Sequence, residues 1–250
     1  MQKYFSRIMD IGEQMLVCGA EVHRVEDSIY RMCSTIGFLK TDVFIITSSM
    51  VVTVYTENEV YTQTRRIKGM GMDIERLHQL NALSRKICQS SLSEAEISAE
   101  LDKIKLVKRT PLWLECLSYM MIAGAFTIFF DGSFAESAVS ALTGLALCFI
   151  TDFSEKALLN KIFAKFIGAF AVTLIAYAAM KLGLISAMDK AIIGNIMLLI
   201  PGVGLTNALR DLLVGDNMAG LLRLIEAVLL ALSIAAGYLL FIFIVGGNAV

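Results

Sequence analysis

LIEAVLLALSIAAGYLLFIFIV, residues Leu224–Val245, is the stretch from which the fold is read. A helix rises about 1.5 Å per residue and the hydrocarbon core of a bilayer is about 30 Å thick, so roughly 20 apolar residues cross it. This run is long enough and carries one charge, Glu226, near its start. It reads as a transmembrane helix.

Four further spans lie upstream. Leu112–Phe130 has Pro111 at its start, with Trp113 and Tyr119 as interface anchors. Ser133–Ile150 carries Glu136 close to its beginning, and Phe163–Leu184 follows. Ala191–Val214 is interrupted by Pro201-Gly202-Val203-Gly204. The expected membrane domain is therefore 112–250, with spans at about 112–130, 133–150, 163–184, 191–214 and 224–245.

Composition agrees. The chain has 250 residues, 56% apolar and 18% charged, with a mean hydropathy of +0.68; ordinary globular chains are about 25% charged. The charge is unevenly placed. Up to Leu112 there are 15 Lys/Arg and 14 Asp/Glu, and beyond it 7 and 9. Each half is built for a different solvent.

Residues 1–111 read as an α+β domain. Tyr4–Cys18 has Ile8, Ile11, Met15 and Leu16 at helical spacing, and a second helix from about Glu21 to Ile36 ends at Gly37. Asp42–Ile46, Met50–Thr56 and Val60–Ile67 read as two or three antiparallel strands, with Glu57-Asn58-Glu59 as a turn. Asp73–Gln89 returns to helical period, and Ser93-x-x-Glu96 is a capping box opening a helix to about Leu106. The fold class expected is a mostly α membrane protein. A cytoplasmic domain of helices and a small antiparallel sheet precedes a five-helix bundle whose fourth helix is broken.

The net charge of −1 gives no reason to expect nucleic acid. Cys18, Cys33, Cys88, Cys116 and Cys148 show no C-x-x-C spacing, so free thiols in a reducing compartment are expected, with no metal site and no cofactor. Met1–Glu13 lacks the apolar core of a signal peptide, so the later helices are expected to direct insertion. Orientation follows from Lys and Arg. Nine basic residues, including Lys103, Lys105, Lys108 and Arg109, flank one set of span ends, and two, Lys181 and Lys190, flank the other. The N-terminal domain is expected in the cytoplasm and the C-terminus outside.

The chemistry is expected in the fourth span. Proline removes a backbone donor and Gly194, Gly202 and Gly204 loosen the helix, while broken backbone at membrane depth persists only against protein or a watery cavity. A half-helix starting after Gly204 would aim its positive end at a carboxylate, with Thr206 and Asn207 as side-chain donors. Asn195, Pro201, Gly202, Gly204, Thr206, Asn207, Arg210, Asp211, Arg223 and Glu226 are the candidate pathway residues. Glu136, Asp211 and Glu226 are candidate proton carriers. The bland alternatives are a plain proline kink between packed helices and an interfacial cluster of ion pairs, among them Arg223 with Glu226 at i, i+3. A Cys18/His23 nucleophile is set against an ordinary core cysteine and a surface histidine, because proximity in sequence is not catalytic geometry.

Two stretches carry a resemblance. GEQMLVCGAEVHRVE (12–26), followed by a strand pair and Thr64-Arg65-Arg66, resembles the cytoplasmic start of the threonine/serine exporter family. LLIPGVGLTNALRDLLVGD (198–216) with GLLRLIEA (220–227) resembles that family's membrane signature. The resemblance implies proton-coupled export of small carboxylates: threonine or serine in some members, succinate in two-component ones. It also implies a transporter with roughly double the spans read here, and so a separate small hydrophobic partner subunit in the plasma or inner membrane. A non-transporting regulatory subunit or a membrane-tethered hydrolase is the rival from another class.

Overall fold

The computed structural model describes residues 1–69, 71–90, 92–107 and 110–246. Of the basic run ahead of the first span, Lys108 and Arg109 lie outside the described residues. The chain divides into two compact units, Met1–Lys108 with Gly204–Leu224, and Arg109–Val203 with Ile225–Val250.

The first unit opens with α1 (Gln2–Val17) and α2 (Val22–Ile36). The apolar positions read at helical spacing are the buried ones: Ile8, Ile11, Met15 and Leu16 on α1, and Val22, Val25, Ile29 and Met32 on α2. Gly37 ends α2 in the left-handed region at φ +98°, where a side chain would be strained. Strands β1 (Lys40–Ile46), β2 (Ser49–Tyr55) and β3 (Val60–Arg66) form an antiparallel sheet in that order. Register sets Val43 opposite Val52 and Thr53 opposite Thr62, whose hydroxyls are 2.9 Å apart. The alternate residues Met50, Val52 and Val54 are buried on one face, which is the period-2 signature. Helix α3 (Ile74–Gln89) is capped by Asp73, and α4 (Glu94–Lys105) opens on the Ser93/Glu96 capping box. One core joins α1 to α4 and β2, and it also takes in Ala219. Each fully buried Ile, Leu or Met in it contributes roughly 1.5–3 kcal/mol.

In the second unit α5 (Leu112–Phe129), α6 (Phe134–Lys156), α7 (Lys161–Lys181) and α8 (Asp189–Leu199) precede the greater part of α10 (Asn217–Gly246). Helices α5, α6, α7 and α10 are each long and apolar enough to cross a membrane. Helix α8 with α9 (Gly202–Val214) passes the same test as a pair bent by 53° at Ile200–Pro201. Among the described residues four spans, or five if the pair is one, are available by length and composition.

Three of the boundaries that differ from the sequence reading have a local cause. Helix α9 starts at Gly202, ahead of Gly204, because proline is readily accommodated just before a first helical turn. Helix α6 runs on to Lys156, where Asp152 and Lys156 pair at i, i+4 (2.6 Å). Helix α10 begins at Asn217, since Asp216 Oδ1 accepts from Ala219 N at 3.3 Å and caps it, so Arg223 lies inside a helix.

Candidate functional site

The turn between α1 and α2 is built to offer carbonyl oxygens. Gly19, at φ +90°, reverses the chain, with Gly19 N donating to Leu16 O (3.0 Å) and Ala20 N to Met15 O (3.0 Å). The carbonyls of Val17 and Cys18 accept from Gly71 N (2.8 Å) and Asp73 N (3.2 Å). The next two, Gly19 O and Ala20 O, take side-chain donors instead. Asn207 Nδ2 donates to Gly19 O at 3.5 Å and Arg223 Nη2 to Ala20 O at 2.7 Å.

Those donors come from a second turn. Helix α9 ends at Gly215 (φ +99°), where Gly215 N donates to Leu212 O and Asp216 N to Asp211 O. Gly220 then lets α10 fold back so closely that an added Cβ would lie 2.9 Å from Ala208 O. This hairpin sets Asp211 against Arg223, with Nη1 to Oδ2 at 3.4 Å and side chains 1% and 6% exposed. Beside them Arg210 pairs with Glu21, and here the side chains are 60% and 15% exposed. The two stretches singled out in the sequence, 12–26 and 198–227, thus meet in one cluster.

That cluster is incompletely satisfied. Neither carboxylate oxygen of Asp211 accepts a hydrogen bond from a described residue, and Arg223 Nε donates none. A buried ion pair at this separation keeps capacity for further partners. Two guanidiniums suit the carboxylates of an organic acid, and a buried aspartate suits the ammonium of an amino acid.

Glu26, on α2, accepts from Ile45 N at 3.2 Å. Burial, and then the nearby Asp216, raise its carboxyl above the ordinary value, against the pull of the Ile45 N–H and His23. A raised carboxyl contributes its full stability below the ordinary value of 4.5 and loses it as pH rises through the folded one. Glu26→Gln, which keeps the acceptor, is therefore expected to melt above the wild type at about pH 7 and with it at about pH 4. Coincident melts at both pH values would contradict this assignment.

The other predicted residues lie elsewhere. Asn195 on α8 is fully buried in the second unit, where its Nδ2 donates to Ser140 Oγ (2.7 Å) and to Ala191 O (3.0 Å). Pro201 and Gly204 are half-buried at the break, while Gly202 and Thr206 are exposed. Glu226 is exposed on α10, and the ion pair Arg223 makes is with Asp211. Glu136 Oε2 accepts from Ser133 N at 2.7 Å, closing a capping box at the start of α6. Glu21, Glu26 and Asp216 were not among the candidates. Glu21 and Glu26 stand in the first motif and Asp216 in the second, and Glu21 and Glu26 take their partners, Arg210 and Ile45, from elsewhere along the chain.

Cys18 is 1% exposed, and burial pushes its thiol up to about 11, away from what a nucleophile needs. His23 is exposed and lines an open groove of about 250 Å³ with Glu26, Asp27 and Tyr30. Among the described residues no group of three or more His, Cys, Asp or Glu is placed to hold a metal ion.

Comparison with known proteins covers nearly the whole chain. The family model described as "Putative threonine/serine exporter" matches residues 6–245. A Klebsiella aerogenes protein named "Probable succinate transporter subunit YjjP" is 24% identical over 224 residues, 89% of this chain and 86% of its own length. An Escherichia coli K12 protein of the same name is 22% identical over 236 residues, 94% of this chain and 92% of its own. No solved structure matches significantly.

Proposed function

The chain belongs to the threonine/serine exporter family, and from that premise we propose that it is the large subunit of a two-component secondary exporter. Its substrates are small carboxylates, either a dicarboxylate such as succinate or the amino acids threonine and serine. A separate small hydrophobic membrane subunit completes the pathway. The relatives' names, which call them succinate transporter subunits, support both the substrate class and the partner. Residues 1–111 form the cytoplasmic domain of this multi-pass protein of the plasma or inner membrane, residues 112–250 the membrane domain, and the C-terminus faces outward. The lysine and arginine distribution supports that orientation.

The mechanism is alternating access around the Pro201–Gly202 break. The observation that carries it is the cluster of Arg210, Asp211 and Arg223, two guanidiniums and an under-satisfied carboxylate at the end of the broken pair. Protons supply the driving force, with Asp211 as the first candidate carrier and Glu136 and Glu226 as others. Gly204, Thr206 and Asn207 are the further candidates beside that cluster. Arg210→Ala and Asp211→Ala are each expected to abolish efflux of labelled succinate, serine and threonine while the protein still inserts. Efflux at wild-type rate in both variants would remove these residues from the pathway.

A further inference from the structure

Glu21 opens α2 but bonds away from it. It is the N-cap residue of α2 and makes no cap hydrogen bond. Its carboxylate turns to Arg210 on α9, 189 residues away. The exposures of the pair are lopsided, with the Glu21 side chain mostly covered and the Arg210 side chain mostly open. The Arg210 side chain is therefore open to a dissolved carboxylate from outside. Asp211, by contrast, holds a buried arginine that a solute reaches only after rearrangement.

We propose that Glu21 is a built-in competitor for the substrate: its carboxylate holds Arg210 in the empty transporter, and the carboxylate of the incoming substrate takes its place. This rests on the exporter reading above and deepens it, by naming the carboxylate-binding guanidinium and the group that guards it. The displaced group and the ligand share one chemistry, so the exchange costs little at Arg210 and the guanidinium stays paired throughout. The same turn holds α9 and α10 by Gly19 O and Ala20 O. Loss of the Glu21 contact thus leaves the turn attached by neutral acceptors alone, which ties occupancy at Arg210 to the grip of the turn on the two helices. An internal ligand that must leave first lowers apparent affinity by the fraction of molecules in which it has left.

The test is equilibrium binding of labelled succinate, threonine and serine to membranes holding the full chain with its partner subunit. Wild type is compared with Glu21→Gln, Glu21→Asp, Arg210→Gln and the Glu21→Gln/Arg210→Gln double variant, with melting temperatures recorded in parallel. The ligand that binds wild type is expected to bind Glu21→Gln about threefold to tenfold more tightly. Glu21→Asp, whose shorter carboxylate reaches Arg210 less well, is expected to shift the same way and serves if the glutamine variant does not fold. Arg210→Gln and the double variant are expected to lose binding alike. Unchanged or weaker binding by a normally folded Glu21→Gln overturns the competitor role while leaving the exporter reading intact. Binding of none of the three ligands by wild type or any variant overturns both.

Discussion

Arg223→Ala is expected to destabilise the unit of residues 1–108 and 204–224 by about 3–5 kcal/mol and to abolish flux. The side chain is 6% exposed and makes two contacts, with Asp211 Oδ2 at 3.4 Å and Ala20 O at 2.7 Å. Its removal leaves a carboxylate that is 1% exposed without a counter-charge, and leaves the Ala20 carbonyl without its donor. The magnitude belongs to that stranded charge, since a solvent-exposed ion pair contributes only about 0–1 kcal/mol. Two further variants separate the contributions. Arg223→Lys keeps the charge and loses the forked geometry that reaches both acceptors, so it is expected to melt between the alanine variant and wild type. Arg223→Ala/Asp211→Ala removes both charges and is expected to recover part of the loss. Thermal unfolding in detergent reads all three, and an Arg223→Ala variant that melts with wild type would show that the pair does not hold this hairpin.

The second large effect is expected at Gly194. A Cβ there would lie 2.8 Å from Ala123 O and 3.0 Å from Thr127 N, both backbone atoms of α5. Backbone cannot step aside as a flexible side chain can, so α8 must move off α5 as a body. Gly194→Ala is expected to cost about 1–3 kcal/mol, and Gly194→Val more. Beside Gly194, Asn195 makes its hydrogen bonds to Ser140 and Ala191, and displacement of α8 strains these as well. Gly202→Ala is the control, because nothing lies within 4 Å of an added Cβ at the break. It is expected to melt with wild type, and a fall in flux there would report on the pathway rather than on packing. A Gly194→Ala variant that melts with wild type would contradict the close approach of α8 to α5.

Much of the fold is legible in sequence because it is carried by local signals. The apolar faces of α1 and α2, the strand alternation, the left-handed Gly37 and the Ser93/Glu96 box each need only a few neighbouring residues to be read. Ser133-x-x-Glu136 is the same signal as Ser93-x-x-Glu96, and its spacing alone encodes the capping box that opens α6.

The candidate cluster is legible only in halves. Arg210, Asp211 and Arg223 draw notice because charges beside a broken apolar run are costly in a bilayer. Their partners are not readable, since the pairing of Arg210 with Glu21 spans 189 residues and no periodicity links them. Arg223 illustrates the limit. Glu226 at i+3 is its neighbour in sequence, but Gly220 closes the α9–α10 hairpin so tightly that Asp211 becomes its neighbour in space. Helix α9 likewise reads as the second half of a span, yet most of it belongs to the same compact unit as α1 and α2. Hydropathy reports what a helix is made of, while the polar side chains that fix its packing partner are too few to register in an average.

The most direct test of the exporter reading is counterflow of labelled succinate, serine and threonine in proteoliposomes. It compares this chain alone, this chain with the small hydrophobic subunit, and the same pair carrying Arg210→Ala. The account predicts flux of at least one label only when both subunits are present, and its loss in the variant. No flux of any label, with both proteins folded and inserted, would contradict it.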